Sequence, residues 1–269
     1  MIKLIATDMD GTLLNNNHEI PKDFKEIINS LKELDIMFAI STGRNYLDIS
    51  YQFDGYKDDL LFICENGTGI YYKGKCIYSK FLEKHTIKKL VELGRTINNA
   101  YPILCGTKGI YLEDDEALRQ LNILFPMNVP VKKVKSLLDV EDGIFKVNMF
   151  DLTDAETNSY KIFKDSNIEG VTLTPSGKYW LDMSSFGTNK GVAIKKAQEM
   201  FNIDYKETMV FGDHLNDLEM MKSAYYSYAM KNGHDDVKKV ANFETKYTNN
   251  ECGVTKTIKE EVLQLKELV

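Results

Sequence analysis

The chain has 269 residues, of which 43% are hydrophobic and 28% charged, and these proportions are ordinary for a globular protein. That length allows one large domain or two modest domains, each with a buried core. The formal net charge of −6 leaves no basic surplus, so we expect no nucleic-acid partner. No apolar run approaches the roughly 20 residues that span a bilayer, so we expect no membrane partner. Asp8 and Asp10 interrupt the first apolar run, so we expect no signal peptide.

Four cysteines lie far apart in the sequence and lack C-x-x-C spacing: Cys64, Cys76, Cys105 and Cys252. This spacing is typical neither of a zinc site nor of a disulfide framework. We therefore expect free thiols in a reducing cytoplasm.

The first part of the chain alternates between strand and helix patterns. Residues 2–7, 36–40 and 60–67 are apolar runs typical of strands buried on both faces of a parallel sheet. Pro21 predicts the first turn of a helix whose apolar side chains recur at helical spacing up to Leu34. The order β-α-β-α-β predicts an α/β fold with a Rossmann-like, doubly wound parallel sheet. Ligands of such sheets bind at the carboxyl ends of the strands.

The pattern changes between residues 83 and 185. A helix predicted at about 85–99 precedes two short strands, and a helix predicted at about 154–166 precedes two more. The five strands predicted in this region lie at 103–106, 109–113, 144–150, 170–175 and 178–184. Helices followed by paired strands predict an α+β insert whose sheet is covered on one face.

The parallel pattern then returns. Residues 189–201 form an amphipathic helix pattern, and the apolar run 208–213 ends in Asp213. A further helix and a strand at 225–230 follow. Two remote strands, 2–7 and 208–213, therefore both lead into acidic residues.

Asp8, Asp10 and Asp213 are the candidate metal-binding residues. Three carboxylates at one edge of a parallel sheet would repel each other in a partly dry cleft, and a hard divalent cation such as Mg²⁺ removes that conflict. Strand alternation predicts that Asp8 and Asp10 share one side. Asp10-Gly11 is also a common turn signal, and Asp213 is also a plausible helix cap. Neither alternative explains the second acid at Asp8 or the nearby Asp217.

Other candidate site residues could bind an anion such as phosphate. Thr42 and Gly43 follow the strand at 36–40, where a hydroxyl and backbone N–H groups can bind phosphate oxygens. Lys190 precedes a helix and offers a cation. A G-x-x-x-x-G-K match at 69–75 ends in Cys76 rather than Ser or Thr, and its flanks predict a hairpin, so we reject a nucleotide-binding phosphate loop there.

Four motifs occur in order along the whole chain. D-x-D-G-T-L stands at Asp8 to Leu13, the hydroxyl of a second motif at Thr42, the lysine of a third at Lys190, and G-D-x-x-N-D at Gly212 to Asp217. In these motifs the chain closely resembles the haloacid-dehalogenase-like superfamily of phosphohydrolases. Segments 65–67, 229–242 and 249–254 are similar to its Cof-like sugar-phosphate phosphatase branch.

The resemblance implies a domain division. Too few residues separate Asp10 from Ser41 for a domain, whereas residues 44–189 exceed what the remaining strand and helix units need. The chain therefore looks like a type IIB member, with a large α/β (α+β) cap inserted between the second and third motifs. We expect a discontinuous catalytic core at 1–82 and 186–269 and a cap domain at 83–185.

The resemblance also implies roles for single residues. Asp8 would be the nucleophile that forms an aspartyl-phosphate, and Asp10 would protonate the leaving oxygen and then activate water. Magnesium would be held by the Asp8 carboxylate, the Asp10 main-chain carbonyl and Asp213. Asp217 would orient Lys190 or the waters of the metal. The groups expected to bind the phosphoryl oxygens are the Met9 N–H, Thr42, Gly43, Lys190 and Asn216.

These inferences predict a magnesium-dependent phosphatase for small phosphorylated metabolites, such as sugar phosphates or a flavin precursor. The chain is expected to be a monomer or a weak homo-oligomer. Two alternatives stay open at this point: a phosphotransferase or phosphomutase on the same fold, and a regulatory binding protein that has kept the fold without turnover.

Overall fold

The computed structural model describes residues 1–124 and 129–263. Residues 125–128 of the predicted cap and 264–269 of the predicted core lie outside the described residues. The strands are β1 Leu4–Thr7, β2 Met37–Ser41, β3 Leu60–Cys64, β4 Gly69–Tyr72, β5 Lys75–Ser79, β6 Ala100–Gly106, β7 Gly109–Leu112, β8 Val131–Lys133, β9 Ile144–Asp151, β10 Val171–Pro175, β11 Trp180–Ser185, β12 Thr208–Gly212, β13 Tyr226–Ala229 and β14 Phe243–Glu244. The α-helices are α1 Phe24–Glu33, α2 Tyr46–Ile49, α3 Lys84–Gly94, α4 Asp115–Leu124, α5 Ser159–Asp165, α6 Lys190–Phe201, α7 Leu218–Met221, α8 Asp235–Val240 and α9 Gly253–Glu261.

The chain divides into two compact units. The first comprises the described residues of Met1–Tyr78 and Asn189–Val269, and the second those of Ser79–Thr188. No helix in the described ranges is both long and apolar enough to cross a membrane.

The first unit contains a sheet in the order β14-β13-β12-β1-β2-β3-β4-β5. From β14 to β3 each neighbouring pair is parallel, and β4 runs antiparallel to β3. The chain winds outward from β1 through β2 to β3, and later in the other direction from β12 to β14. The order therefore reverses between β1 and β12, where doubly wound sheets form their ligand crevice. The predicted α/β, Rossmann-like sheet is confirmed.

The core of the first unit follows from apolar strands and helix faces. Residues of β1, β2 and β3, among them Leu4, Ala39 and Leu61, pack with Ala193 and Ile194 of α6. On α1 the buried side chains are Phe24, Ile27, Ile28 and Leu31, as the helical spacing predicts.

The segment with the G-x-x-x-x-G-K match forms a hairpin. Strands β4 and β5 are neighbours in the sheet and flank Lys73 and Gly74, whose φ angles are 49° and 72°. Two consecutive positive φ values are typical of a tight hairpin turn. The absence of a phosphate loop here agrees with the sequence prediction.

The second unit is built on a sheet in the order β10-β11-β9-β6-β7-β8. Each neighbouring pair from β10 to β7 is antiparallel, and β8 pairs parallel to β7. Leu90 and Val91 of α3 and Phe163 of α5 pack against Val147 and Met149 of β9. Helix α4 and strand β8 were not predicted from the sequence.

Several predicted boundaries are wrong for local reasons. Helix α1 begins at Phe24 because the Phe24 N–H bonds to the Pro21 carbonyl (3.0 Å), which makes a turn ahead of the helix. Helix α3 ends at Gly94, and beyond it the Thr96 hydroxyl donates to the Leu93 carbonyl (2.7 Å). Helix α5 begins only at Ser159, because the Asp154 carboxylate accepts the Thr157 N–H (3.0 Å) and holds a turn.

Candidate active site

The candidate site lies where the strand order of the first unit reverses. Thr7 and Phe211, near the carboxyl ends of β1 and β12, are direct neighbours, and the Asp8 N–H donates to the Phe211 carbonyl (2.9 Å). Asp8 directly follows β1 and Asp213 directly follows β12. The parallel pairing thus brings two segments together that lie about 200 residues apart in the sequence.

Three carboxylates meet at this point. One oxygen each of Asp8, Asp213 and Asp217 lies within 4.8 Å of the others, and Asp8 and Asp217 are buried. Burial, together with the charges of Asp217 and Asp213, raises the pKa of Asp8 well above its ordinary value, although Lys190 acts in the opposite direction. Burial also raises the pKa of Asp213, and this outweighs the lowering by its hydrogen bond from Thr12. A bound cation would therefore stabilise the charged form of these carboxylates.

Lys190, the first residue of α6, is fully buried beside these carboxylates. Its ammonium nitrogen donates to Asp8 Oδ1 and, at 2.7 Å, to Asp217 Oδ1. Burial alone would lower the pKa of Lys190, but the charges of Asp217 and Asp8 raise it above its ordinary value. The lysine is therefore a fixed cation next to the predicted nucleophile.

Asp217 is held on both of its carboxylate oxygens. Oδ1 accepts from Lys190, and Oδ2 accepts the N–H groups of Asp213 (2.9 Å) and His214 (3.1 Å). Asp217 therefore fixes both the lysine and the turn that carries Asp213.

The loop after β1 is closed by its own backbone and by Thr12. The N–H of Leu14 donates to the carbonyl of the fully buried Met9 (2.8 Å). Gly11 has a φ of +83°, and a Cβ at Gly11 would overlap the Asp213 carboxylate. The Thr12 hydroxyl donates to Asp213 Oδ1 (2.7 Å). Gly11 and Thr12 therefore allow the two acidic loops to touch.

Asp10 does not share the carboxylate cluster. Its side chain is paired with Arg44, whose Nε lies 2.9 Å from Oδ2 and whose Nη2 lies 2.5 Å from Oδ1. His18 Nδ1 lies 3.2 Å from Asp10 Oδ1. The strand alternation on which the prediction for Asp8 and Asp10 rested does not extend to these residues, because β1 ends at Thr7.

The predicted phosphate-binding residues of the second strand lie at its carboxyl end. The Thr42 N–H donates to the Ile63 carbonyl (2.8 Å), and the Thr42 carbonyl accepts the Asn66 N–H (3.0 Å). A Cβ at Gly43 would lie 3.2 Å from the Asn66 amide nitrogen. Asn216 Nδ2 donates to Asn66 Oδ1 (3.2 Å). Asn66 therefore joins the segments that contain Thr42 and Asn216.

The residues present fit a divalent metal ion. The clustered side chains offer only carboxylate oxygens, which Mg²⁺ and other hard cations prefer, and burial is the main cause that raises the pKa of Asp8 and Asp213. A site of this composition does not suit a soft metal that selects thiolates.

Sequence reasoning assigned no role to three residues that contact the predicted site. Thr12 holds Asp213, while Arg44 and His18 contact Asp10. Thr12 lies inside the first motif and Arg44 directly follows Gly43, so their polar side chains beside predicted site residues were an available signal. His18 carried no signal, because its contact depends on how the loop folds back.

The comparisons with known proteins fit this geometry. The sequence profile of the haloacid dehalogenase-like hydrolase family matches residues 5–258. The chain belongs to this family.

Individual relatives resemble the chain over nearly its whole length. A 5-amino-6-(5-phospho-D-ribitylamino)uracil phosphatase of Escherichia coli K12 is 26% identical over 253 residues, which cover 93% of each chain. The crystal structure of a haloacid dehalogenase-like hydrolase from Bacteroides thetaiotaomicron matches with a TM-score of 0.83 at 25% identity, covering 97% of this chain and 99% of that one. A HAD subclass IIB sugar phosphatase shares the fold, with a TM-score of 0.77 at 22% identity over 96% and 98% of the two chains.

These findings confirm the predicted family and the predicted class of enzyme. The chain is a haloacid dehalogenase-like hydrolase, and curated relatives are phosphatases. Its fold is shared with a HAD subclass IIB structure.

Proposed function

We propose that this hydrolase is a magnesium-dependent phosphatase that removes phosphate from small metabolites through an aspartyl-phosphate on Asp8. The observation that supports this most is the position of Asp8: it is buried at the strand-order reversal, in contact with Lys190 and within reach of Asp213. A buried carboxylate with a fixed cation beside it and a metal-binding partner suits attack on a phosphoryl group.

In the first step a carboxylate oxygen of Asp8 attacks phosphorus. An Asp8 O–P bond forms, the bond from phosphorus to the leaving oxygen breaks, and protonated Asp10 gives its proton to that oxygen. For this, Asp10 must leave its ion pair with Arg44. The groups proposed to bind the phosphoryl oxygens are the Met9 N–H, Thr42, Gly43, Lys190 and Asn216.

In the second step water hydrolyses the aspartyl-phosphate. Asp10, now ionised, takes a proton from the water as the oxygen attacks phosphorus, and the Asp8 O–P bond breaks. Inorganic phosphate is released and both aspartates return to their starting states.

Magnesium would be held by the Asp8 carboxylate, the Asp10 main-chain carbonyl and Asp213. When bound, it neutralises charge on the phosphoryl oxygens as a Lewis acid. Asp217 would not bind it directly, because both of its oxygens are engaged by Lys190 and by the N–H groups of Asp213 and His214.

We propose sugar phosphates or a phosphorylated flavin precursor as substrates. The names of the relatives support this range: one acts on 5-amino-6-(5-phospho-D-ribitylamino)uracil, and one structural neighbour is a sugar phosphatase. We assign the catalytic core to the unit of Met1–Tyr78 and Asn189–Val269 and the cap to Ser79–Thr188. The free, buried thiol of Cys64 supports a reducing cytoplasm as its location.

A phosphate-release assay tests the proposal. The purified protein is incubated with a panel of sugar phosphates, the phosphorylated ribitylaminouracil and p-nitrophenyl phosphate, with Mg²⁺ or with EDTA. We expect phosphate release only with Mg²⁺. We expect no release by an Asp8→Asn variant that keeps the wild-type fold. Phosphate release by Asp8→Asn at the wild-type rate would refute the assignment of Asp8 as the nucleophile. Transfer of phosphate between substrates without net release would indicate a phosphomutase instead.

A further inference from the structure

One loop outside the four motifs contacts both acidic loops of the candidate site. Residues 230–234 connect β13 to α8. The side-chain amide of Asn232 donates to the Gly11 carbonyl (2.8 Å), and the His234 N–H donates to the Asp213 carbonyl (2.8 Å). The same short segment is therefore bonded to the loop after β1 and to the loop after β12.

A second asparagine completes this connection. The Asn249 N–H donates to Asn232 Oδ1 (2.9 Å), and Asn249 Nδ2 donates to the Leu14 carbonyl (3.0 Å). Asn249 is buried, whereas Asn232 is exposed although it bonds on both sides. The side chains of Asn232 and Asn249, two residues that are bonded to each other, thus hold the Gly11 and Leu14 carbonyls of the loop after β1.

The peptide of Gly11 is connected to the carboxylate of Asp213 through Thr12. Gly11 is the least restrained residue of its loop, since it lacks a side chain and has a positive φ. Its carbonyl belongs to the peptide unit that leads into Thr12, and the Thr12 hydroxyl donates to Asp213 Oδ1. A bond that fixes this peptide therefore also fixes the hydroxyl on Asp213.

We propose that Asn232, supported by Asn249, sets the spacing between the loop of Asp8 and Asp10 and the loop of Asp213, and is thereby a positioning residue for divalent-metal binding. This inference rests on the proposed function, because it takes the metal to lie between those loops. Asn232 itself bonds to the peptide of Gly11 and acts on the metal only through the loops.

Two substitutions of Asn232 separate its two bonds. Asn232→Ala removes both. Asn232→Asp keeps the oxygen that accepts from Asn249 but loses the donor to Gly11. The new carboxylate would attract a cation, so a loss of Mg²⁺ affinity in Asn232→Asp would come from the changed contact with the Gly11 carbonyl. The matched control is Asn250→Ala, since Asn250 is also exposed and accepts one backbone bond, from the Asn16 N–H (2.9 Å).

The closing experiment measures Mg²⁺ binding by calorimetry and by the metal-dependent rise in melting temperature, with phosphate release as a further readout. We expect both Asn232 variants to weaken Mg²⁺ binding about ten-fold, because both lose the hydrogen bond to the Gly11 carbonyl. Their melting temperatures without metal should fall by no more than a few degrees, and their substrate KM at saturating Mg²⁺ should stay close to wild type. Asn250→Ala should bind Mg²⁺ normally.

The possible failures are distinguishable. Wild-type affinity in Asn232→Asp with a loss in Asn232→Ala would overturn the role of the Gly11 bond. Unchanged affinity in both variants would overturn this inference and leave the proposed function intact. A wild-type protein that neither binds nor requires Mg²⁺ would refute the proposed function and this inference together.

Discussion

Lys190 and Asp217 form a fully buried ion pair, with the ammonium nitrogen 2.7 Å from Asp217 Oδ1. A second carboxylate, that of Asp8, accepts from the same nitrogen. The lysine charge is thus balanced inside the protein, and in the proposed reaction this balance would change when Asp8 is phosphorylated or binds a cation. In the proposed reaction Asp217 keeps Lys190 in place while Asp8 reacts.

Asp217→Asn should therefore destabilise the fold. It removes one of two carboxylates beside a buried ammonium, and removing one partner of a buried pair costs about 3–5 kcal/mol of unfolding free energy. Urea denaturation followed by circular dichroism measures the change. Glu219→Gln is the control, because its pair with Lys222 is exposed and its loss should leave the midpoint almost unchanged. Equal midpoints for Asp217→Asn and wild type would contradict the stabilising role of the pair.

Asp10→Ala should impair phosphate release in a way that depends on the leaving group. Loss of a general acid costs about 10²–10⁴ in rate when the leaving oxygen needs a proton. The loss should be smallest for p-nitrophenyl phosphate, whose leaving group departs as an anion, and largest for alkyl phosphates. Steady-state kcat/KM across a series of leaving groups measures this. A uniform loss across the series would argue against the acid role.

Magnesium affinity should rise with pH. Burial raises the pKa of Asp8 well above its ordinary value and raises that of Asp213, so protons compete with the metal for these carboxylates. As pH increases through the raised pKa values the protons leave, and the metal no longer has to displace them. Calorimetric titrations between about pH 5 and pH 8 in buffers of different ionisation enthalpy measure affinity and proton release. Affinity that is constant with pH, without proton release, would contradict the raised values.

Gly11→Ala should weaken metal binding far more than Gly74→Ala. Both glycines have positive φ, at +83° and +72°, so both substitutions incur about 1–2 kcal/mol of backbone strain. Only at Gly11 does the added Cβ meet the Asp213 carboxylate, whereas nothing lies within 4 Å at Gly74. Melting temperatures with and without Mg²⁺ separate the two effects. A similar metal-dependent shift in both variants would show that Asp213 moves aside without loss.

The sequence was sufficient for features that depend on local patterns. Apolar runs followed by acids predicted β1 and β12, and the spacing of motifs predicted an inserted unit between Gly43 and Lys190. Helix limits were predicted less well, because side-chain bonds such as that of Asp154 to the Thr157 N–H change where a helix begins without changing its apolar pattern.

What the sequence by itself determined is which residues are available for chemistry: Asp8, Asp10, Thr42, Lys190 and the turn from Gly212 to Asp217. Only the tertiary structure decided which of them meet. Parallel pairing of β1 with β12 brings Asp8 to Asp213, whereas the carboxylate of Asp10, beyond the end of β1, pairs with Arg44. Such contacts depend on how distant segments pack and on where each loop turns. Local sequence around a residue does not determine either of these.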